Sequence, residues 1–188
     1  MNRVGQFEKV SFEQFKKDYL HALLPGADYK DLIKAEENAL IQAYDTISLP
    51  VRATSGSAGY DFVSPIDFML NPGESITIPT GIRVKIDEGW FLGIFPKSSL
   101  GFKFRVQLDN TVGVIDSDYY YSDNQGHIMV KITNDSKTSR ITNNNNTYNP
   151  AIINRGKAFV QGIFIPFGVT YDDQADGVRN GGFGSTGM

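Results

Sequence analysis

Apolar residues recur at helical spacing near the start of the chain. Phe12, Phe15, Tyr19 and Leu23 lie three or four positions apart, so they share one face of a predicted helix. Ser11 stands just before them and is a suitable N-cap. The pattern therefore predicts a helix that begins near Phe12 and ends at the Pro-Gly pair that follows it.

A second helical pattern runs roughly from Asp28 to Tyr44, with Leu32, Leu40 and Ala43 among its apolar positions. Together the two patterns predict an N-terminal helical extension over residues 1–44. The plainer interpretation is that this extension packs against the rest of the chain. The alternative is that it binds a protein partner.

The pattern becomes β-like after residue 45. Short apolar or alternating runs, rich in Val, Ile, Phe and Tyr, are separated by Gly, Pro, Asn and Asp. The runs are Ser75–Ile78, Arg83–Ile86, Phe91–Phe95, His127–Ile132 and Ala158–Ile165. Strands and helices do not alternate here, so we expect a mainly β domain of the sandwich, jelly-roll or barrel type.

Two polar segments interrupt the predicted strands. Tyr120–Gln125 is rich in Tyr, Ser, Asp and Asn, and Thr142–Pro150 contains a run of asparagines from Asn143 to Asn146. Such composition is typical of inserted or solvated loops. A specific contact role is the alternative for the asparagine run.

Composition narrows the classes of function. The 188 residues carry a formal net charge of -3, which gives no general attraction to nucleic acid or to an anionic membrane. The lack of cysteine excludes disulfides, thiolate metal ligands and a cysteine nucleophile. We find no signal-peptide pattern and no apolar run of the roughly 20 residues that a membrane helix needs. We therefore expect a cytoplasmic protein that binds neither nucleic acid nor membranes.

The segment Gly113–Tyr119 carries the most informative candidate chemistry. An apolar run delivers Asp116, and Asp118 and Tyr119 follow closely. A carboxylate held at the end of a strand can orient and deprotonate a water molecule, although each acid could equally be a turn or cap residue. Asn110, just upstream, could present both a donor and an acceptor to the edge of a base.

Four other short segments place polar groups beside apolar runs. At Pro96–Leu100 a cation and two hydroxyls could bind phosphate oxygens, although an exposed turn would have the same composition. Gln161 lies in an apolar run and is satisfied either by the backbone or by a ligand. Ser57–Asp61 brings small residues before an acid. Arg179–Gly187 sets Phe183 among glycines, where it could order over a ligand.

In this order the five segments resemble the five motifs of the trimeric dUTP pyrophosphatase (dUTPase) family, over roughly residues 45 to 188. The stretches GVIDSDY, PKSSLG and GGFGSTG are the most specific part of the resemblance. It implies a dUTPase-like jelly-roll or β-clip domain at residues 45–178, a mobile C-terminal arm at residues 179–188 that closes over the active site, and a homotrimer with shared active sites. It also implies Mg²⁺-dependent hydrolysis of dUTP to dUMP and pyrophosphate, which keeps uracil out of DNA and supplies dUMP for dTMP synthesis.

For the nucleoside, the resemblance implies that Asp116 is the general base whose water attacks the α-phosphorus. Tyr119 would pack on the deoxyribose, and Phe183 would stack on uracil. The backbone around Met129 would read the uracil edge. Further nucleoside contacts are implied for Asn110, Gly113, Val114 and Ile115.

For the triphosphate, the resemblance implies that Asp61 meets Mg²⁺ through water and that Gln161 contacts a phosphate. Arg179 lies near the position of the family's tail arginine. The other implied phosphate contacts are Lys97, Ser98, Ser99, Gly184, Ser185 and Thr186. Lys97 stands where the family usually has arginine, so it brings a point charge in place of a bidentate fork.

Two other functions stay open at this point. A fold-related dCTP deaminase needs a glutamate on the strand after the aspartate segment, and His127–Ile132 contains none. The second alternative is a nucleotide-dependent regulatory protein in which catalysis is secondary or lost. Its support is the helical extension and the two polar segments.

Overall fold

The computed structural model describes residues 2–26, 34–136, 141–142, 145–146, 150–177 and 179. The helices are α1 (Phe12–Leu23), α2 (Lys34–Asp45) and α3 (Ser98–Phe104). The strands are β1 (Gly5–Lys9), β2 (Val51–Arg52), β3 (Tyr60–Val63), β4 (Phe68–Leu70), β5 (Ser75–Pro79), β6 (Ile82–Ile86), β7 (Trp90–Pro96), β8 (Val106–Leu108), β9 (Gly113–Ile115), β10 (Met129–Asn134), β11 (Ile141–Thr142), β12 (Asn145–Asn146), β13 (Ala151–Ile153) and β14 (Ala158–Pro166). A 3₁₀ turn spans Ser117–Tyr121. The predicted insertion Thr142–Pro150 lies largely outside the described residues.

A sheet with the strand order β2-β3-β14-β7-β9 forms the centre of the fold, and its neighbouring strands are antiparallel. A second sheet has the order β5-β10-β8, and shorter pairs join β13 to β4 and β11 to β12. Buried side chains from the two sheets, including Phe62, Leu92 and Ile132, share a hydrophobic core. The mainly β prediction is confirmed, and the predicted strands correspond to β5, β6, β7, β10 and β14. None of the described helices is long and apolar enough to cross a membrane.

The helix α1 lies where the N-terminal pattern predicted it, and α2 (Lys34–Asp45) covers the later part of the second predicted helix, whose first residues lie outside the described part of the chain. Ser11 is the N-cap of α1, and its Oγ accepts a hydrogen bond from the Gln14 N–H at 3.2 Å. Phe15 and Leu20 on α1 and Leu40 on α2 are buried in the core. These contacts favour the interpretation that the extension packs on its own chain over the one in which it binds a partner.

Strand β1 is a part of the N-terminal segment that the helical pattern did not predict. It pairs antiparallel with β6, from Gly5 opposite Ile86 to Lys9 opposite Ile82. Phe7 is the buried residue of this strand, and the polar residues around it hide a strand pattern in the sequence. Residues 1–44 are therefore not helical throughout, because they also add a strand to β6.

The predicted loop Tyr120–Gln125 folds back against the N-terminal segment. The Tyr120 hydroxyl donates to Glu8 Oε2 at 2.7 Å. The Ser11 N–H donates to Gln125 Oε1 at 2.9 Å, and Gln125 Nε2 donates to Ser11 Oγ at 3.0 Å. This segment is therefore more than a solvated loop, because it holds the start of α1 in place.

A buried histidine fixes α1 to the segment that precedes β10. His127 has no exposed surface, and its Nε2 accepts from the Gly81 N–H at 2.8 Å. Because a backbone N–H can only donate, the proton of the neutral ring lies on Nδ1, which is 2.6 Å from Asp18 Oδ2. Burial raises the pKa of Asp18, but hydrogen bonds from His127 and Gln14 oppose it, and the pKa is lowered overall. Asp18 is therefore held as a carboxylate that accepts a hydrogen bond from His127 Nδ1–H.

We predict that Asp18→Ala lowers the free energy of unfolding, because it leaves the His127 Nδ1–H buried without a partner. The expected loss is about 1–3 kcal/mol in urea denaturation at neutral pH. Since folding lowers the pKa of Asp18, this stability is present above the unfolded-state pKa of about 3.9 and is lost as the pH falls through the folded-state value.

The matched control for this measurement is Lys17→Ala, at an exposed position of the same helix. It should change the free energy of unfolding by less than about 0.5 kcal/mol. Equal stabilities for the two variants would contradict the anchoring role of Asp18.

Candidate active site

A cavity of about 870 Å³ lies beside β8, β9 and β10. Four residues predicted to contact a nucleoside, Asn110, Gly113, Ile115 and Met129, line it, and its volume is typical of a small-molecule site. Gly113 and Ile115 are buried on one face of β9, whereas Val114 between them is exposed. Because successive side chains of a strand point to opposite faces, the Val114 side chain is not part of the cavity wall.

Other walls of the cavity were not predicted from the sequence. Asn124 lines it from the folded-back loop, and its Nδ2 donates to the Tyr119 hydroxyl at 2.8 Å. Thr77 lines it from β5, and the last turn of α1 closes a further side together with Pro25. Thr77 and the α1 residues are far from the motifs in the sequence, and although Asn124 follows the GVIDSDY stretch closely, no local pattern marks any of them as a site residue.

Tyr119 is anchored beneath the site. It is 2% exposed, and its hydroxyl donates to the His127 carbonyl oxygen at 2.8 Å. Burial raises the pKa of Tyr119, so the hydroxyl stays protonated as a donor at neutral pH. The Arg179 guanidinium carbon lies 5.1 Å from the ring centroid. A sugar can pack on that face of the ring only if Arg179 moves aside.

Arg179 joins the two acids of the GVIDSDY stretch. Its Nη1 lies 2.9 Å from Asp116 Oδ2 and 3.1 Å from Asp118 Oδ1. The Asp116 side chain is 50% exposed, so water can still reach it. An anion that entered here would compete with both carboxylates for Arg179. No pattern in the sequence predicted this contact.

The predicted phosphate-binding residues gather where β3, β7 and β14 meet. Lys97 Nζ lies 2.7 Å from Asp61 Oδ1, and both side chains are about three-quarters buried. Gln161 on β14 is directly opposite Asp61 on β3. Its Nε2 donates to the Pro96 carbonyl oxygen at 3.3 Å. The backbone therefore partly satisfies Gln161, which was one of its two predicted interpretations.

Ser98 and Ser99 begin α3 and are exposed beside Lys97. The first N–H groups of a helix have no partner within the helix, and Lys97 caps α3 without a side-chain hydrogen bond. The segment thus offers amide, hydroxyl and ammonium donors, a combination that suits phosphate oxygens.

The two groups of residues lie at different ends of the central sheet. Ile115, just before Asp116, is opposite Leu92 on β7, whereas Gln161 is opposite Phe95. In an antiparallel pair Asp116 lies one position further from Phe95, so about 13 Å along the strands separates it from Gln161. β9 and β14 also flank β7 on opposite sides. A single chain therefore does not bring the predicted base to the predicted phosphate-binding residues.

The predicted contacts from the C-terminal arm, Phe183, Gly184, Ser185 and Thr186, lie outside the described residues. Within the described part of the chain, no three His, Asp or Glu side chains lie close enough to hold a metal ion. The predicted metal site therefore consists of one carboxylate, that of Asp61. A single carboxylate fits Mg²⁺, because this ion usually keeps several waters and is bound by one or two carboxylates and substrate phosphates.

The fold and these groups define a mainly β protein with a cavity of nucleoside size and, apart from it, the segment that the sequence predicts to bind phosphate. The family model described as dUTPase matches residues 45–187. The chain is 39% identical over 144 residues to the deoxyuridine 5'-triphosphate nucleotidohydrolase of Lactococcus lactis subsp. lactis, a match that covers 75% of this chain and 89% of the relative. It is 36% identical over 147 residues to that of Paraburkholderia phytofirmans, which covers 74% and 88%. The chain belongs to the dUTPase family.

Solved structures agree with this assignment. The dUTPase of Streptococcus mutans matches with a TM-score of 0.54 and 31% identity over 67% of this chain and 90% of that one. The dUTPase of phage phi11 of S. aureus matches with a TM-score of 0.55 and 22% identity over 72% and 93%, which shows the fold alone. The predicted dUTPase-like β fold is confirmed, and β1 and α1 lie outside the matched family region.

Gly59 provides a test of the packing around Gln161, one of the predicted phosphate-binding residues. An added Cβ there would lie 2.4 Å from Gln161 Oε1. We predict that Gly59→Ala displaces the Gln161 side chain and breaks its hydrogen bond to Pro96, at a cost of about 1 kcal/mol because a flexible side chain can move off its rotamer. The side-chain amide resonances of Gln161 in NMR spectra should shift.

Gly56→Ala is the matched control, because an added Cβ at Gly56 meets nothing within 4 Å. It should leave both the Gln161 resonances and the unfolding temperature as they are in the wild type. Unshifted Gln161 resonances in Gly59→Ala would show that the close approach of these two residues is wrong.

Proposed function

We propose that this protein hydrolyses dUTP to dUMP and pyrophosphate. The observation that carries the proposal is the position of Asp116, directly after the β9 residues Gly113 and Ile115 that line the nucleoside-sized cavity. A nucleoside held in this cavity would place its attached phosphates near a water-accessible carboxylate. Membership of the dUTPase family supports the same substrate. Such an activity would keep uracil out of DNA and supply dUMP for dTMP synthesis.

In the proposed reaction Asp116 orients a water molecule and accepts its proton as the water oxygen bonds to the α-phosphorus. The bond from that phosphorus to the bridging oxygen breaks, and pyrophosphate leaves. The 50% exposure of the Asp116 side chain allows a water to lie against it. General-base assistance of this kind is worth about 10²–10⁴-fold in rate.

The phosphates would lie against Lys97, Ser98, Ser99 and Gln161. These residues supply donors in fixed positions, which is how proteins accelerate phosphoryl transfer. Asp61 would hold Mg²⁺ through water, and the ion would neutralise the phosphate oxygens. The ion pair between Lys97 and Asp61 keeps both side chains oriented before substrate arrives.

We further propose that the active site forms between copies of the chain in a homotrimer. The separation of about 13 Å along the strands between Asp116 and Gln161 supports this, because a second copy can bring the two groups to one substrate. Exposed apolar residues, among them Phe102, Val169 and Tyr171, are suited to subunit contacts.

The division of the chain follows the same proposal. Residues 45–178 would form the catalytic β domain, and residues 1–44 an extension built onto it. Residues 179–188 would form an arm that closes over the substrate, with Phe183 stacked on uracil and Gly184, Ser185 and Thr186 at the γ-phosphate. Arg179, at the start of this arm, contacts Asp116 and would couple arm position to the general base.

We predict that Asp116→Asn lowers kcat for dUTP by about 10²–10⁴-fold because the amide cannot accept the water's proton. Binding of a non-hydrolysable α,β-imido analogue of dUTP, measured by calorimetry, should stay within a few-fold of wild type. Asp118→Asn is the matched control, since Asp118 contacts the same Arg179, and its kcat should fall far less. Near-normal turnover in Asp116→Asn would rule out its assignment as the base.

Substrate choice and subunit sharing can be tested together. Wild-type protein with Mg²⁺ should release pyrophosphate from dUTP and not from dTTP, dCTP or UTP. Asp116→Asn and Lys97→Ala proteins should each be nearly inactive, yet unfolding and refolding them as a mixture should restore up to about a quarter of the wild-type rate, because random assembly pairs two intact halves at that frequency.

Activity of the mixture no higher than the mean of the two separate variants would show that each site lies within one chain. Equal turnover of dTTP and dUTP would contradict the proposed specificity. Size measurements on the refolded mixture serve as the control for assembly.

A further inference from the structure

The nucleoside-sized cavity has a wall that comes from outside the dUTPase family region. His21 and Ala22 in the last turn of α1, and Pro25 just after it, line the cavity with Asn110, Gly113 and Met129. The family match begins at residue 45. The N-terminal segment therefore lines the same cavity as the motif residues of this chain's β domain.

This wall is held firmly in place. Phe15 of α1 has no exposed surface, and Asp18 binds the buried His127 at 2.6 Å. At the start of the helix, Ser11 and Gln125 exchange two hydrogen bonds. A helix that is attached at its start and its middle presents its last turn in a defined position, as a size-selective wall requires.

The same attachments connect the wall to the base-reading side of the cavity. His127 is followed by Ile128 and then by Met129, which lines the same cavity as the α1 residues. The carbonyl oxygen of His127 also accepts the hydroxyl of Tyr119. The side chain of His127 thus connects Asp18 directly to the segment that carries Met129.

We propose that the last turn of α1 is a substrate-binding wall, and that Ala22 limits how much space the nucleoside has in the cavity. The inference rests on the proposed function, because it takes the ligand of the cavity to be the deoxyuridine part of dUTP. Ala22 is half-buried and has the smallest side chain of the three wall residues from this segment. It leaves room that a larger residue would fill.

The experiment fills that room with Ala22→Leu. We expect the Kd for α,β-imido-dUTP and the KM for dUTP to rise about tenfold or more, in line with the effect of extra methylene groups in a fitted pocket. The kcat at saturation should stay within about threefold of wild type, because Asp116 and the phosphate-binding residues are untouched. Unchanged Kd and KM would overturn the proposal.

Two further variants complete the design. Lys17→Leu places the same side chain on an exposed position of α1 that does not line the cavity, and it should bind like wild type. His21→Ala removes wall atoms and cannot clash, so it decides the question if Ala22→Leu fails to fold. It should change the Kd at least about threefold, and wild-type affinity in His21→Ala would then reject the wall.

Measurements on the wild-type protein distinguish failure of the proposed function from failure of the proposed α1 wall. If wild-type protein neither binds the analogue nor hydrolyses dUTP, the proposed function fails. If wild type does both while Ala22→Leu and His21→Ala match it, the function stands and the α1 wall is wrong.

Discussion

The antiparallel register of β14, β7 and β9 is the constraint on which the site depends. β14 pairs with β3 on one side and β7 on the other, and β7 in turn pairs with β9. This register puts Gln161 opposite Asp61, and Lys97 Nζ lies 2.7 Å from Asp61 Oδ1. The same register holds Asp116 at the other end of β7, so the candidate base and the phosphate-binding residues are far apart within one chain.

A second set of contacts joins the N-terminal segment to this framework. The strand β1 pairs with β6, and α1 is attached through Asp18 to His127 and through Ser11 to Gln125. A fully buried histidine with both ring nitrogens in hydrogen bonds leaves little freedom for the helix that it holds. The segment that lies outside the family match thereby becomes part of the cavity wall rather than a separate appendage.

The acids and cations of the candidate site form ion pairs with one another. Lys97 is paired with Asp61, and Arg179 with Asp116 and Asp118. Each pairing orients a side chain at little cost in free energy, since partly exposed ion pairs are weak and exchange readily with other charges. A ligand of higher negative charge, such as the triphosphate of the proposed substrate, would therefore compete for Lys97 and Arg179.

The five motifs, the mainly β class, the two N-terminal helices and most of the long strands could be predicted from the sequence, because short motifs and hydrophobic periodicity are local properties. The sequence did not reveal β1, the fold-back of Tyr120–Gln125, or the Asp18–His127 pair, whose members are 109 positions apart. It also could not show that His21 and Ala22 reach the cavity. Those features depend on which distant segments meet, and strand register and burial in the tertiary structure alone decide that.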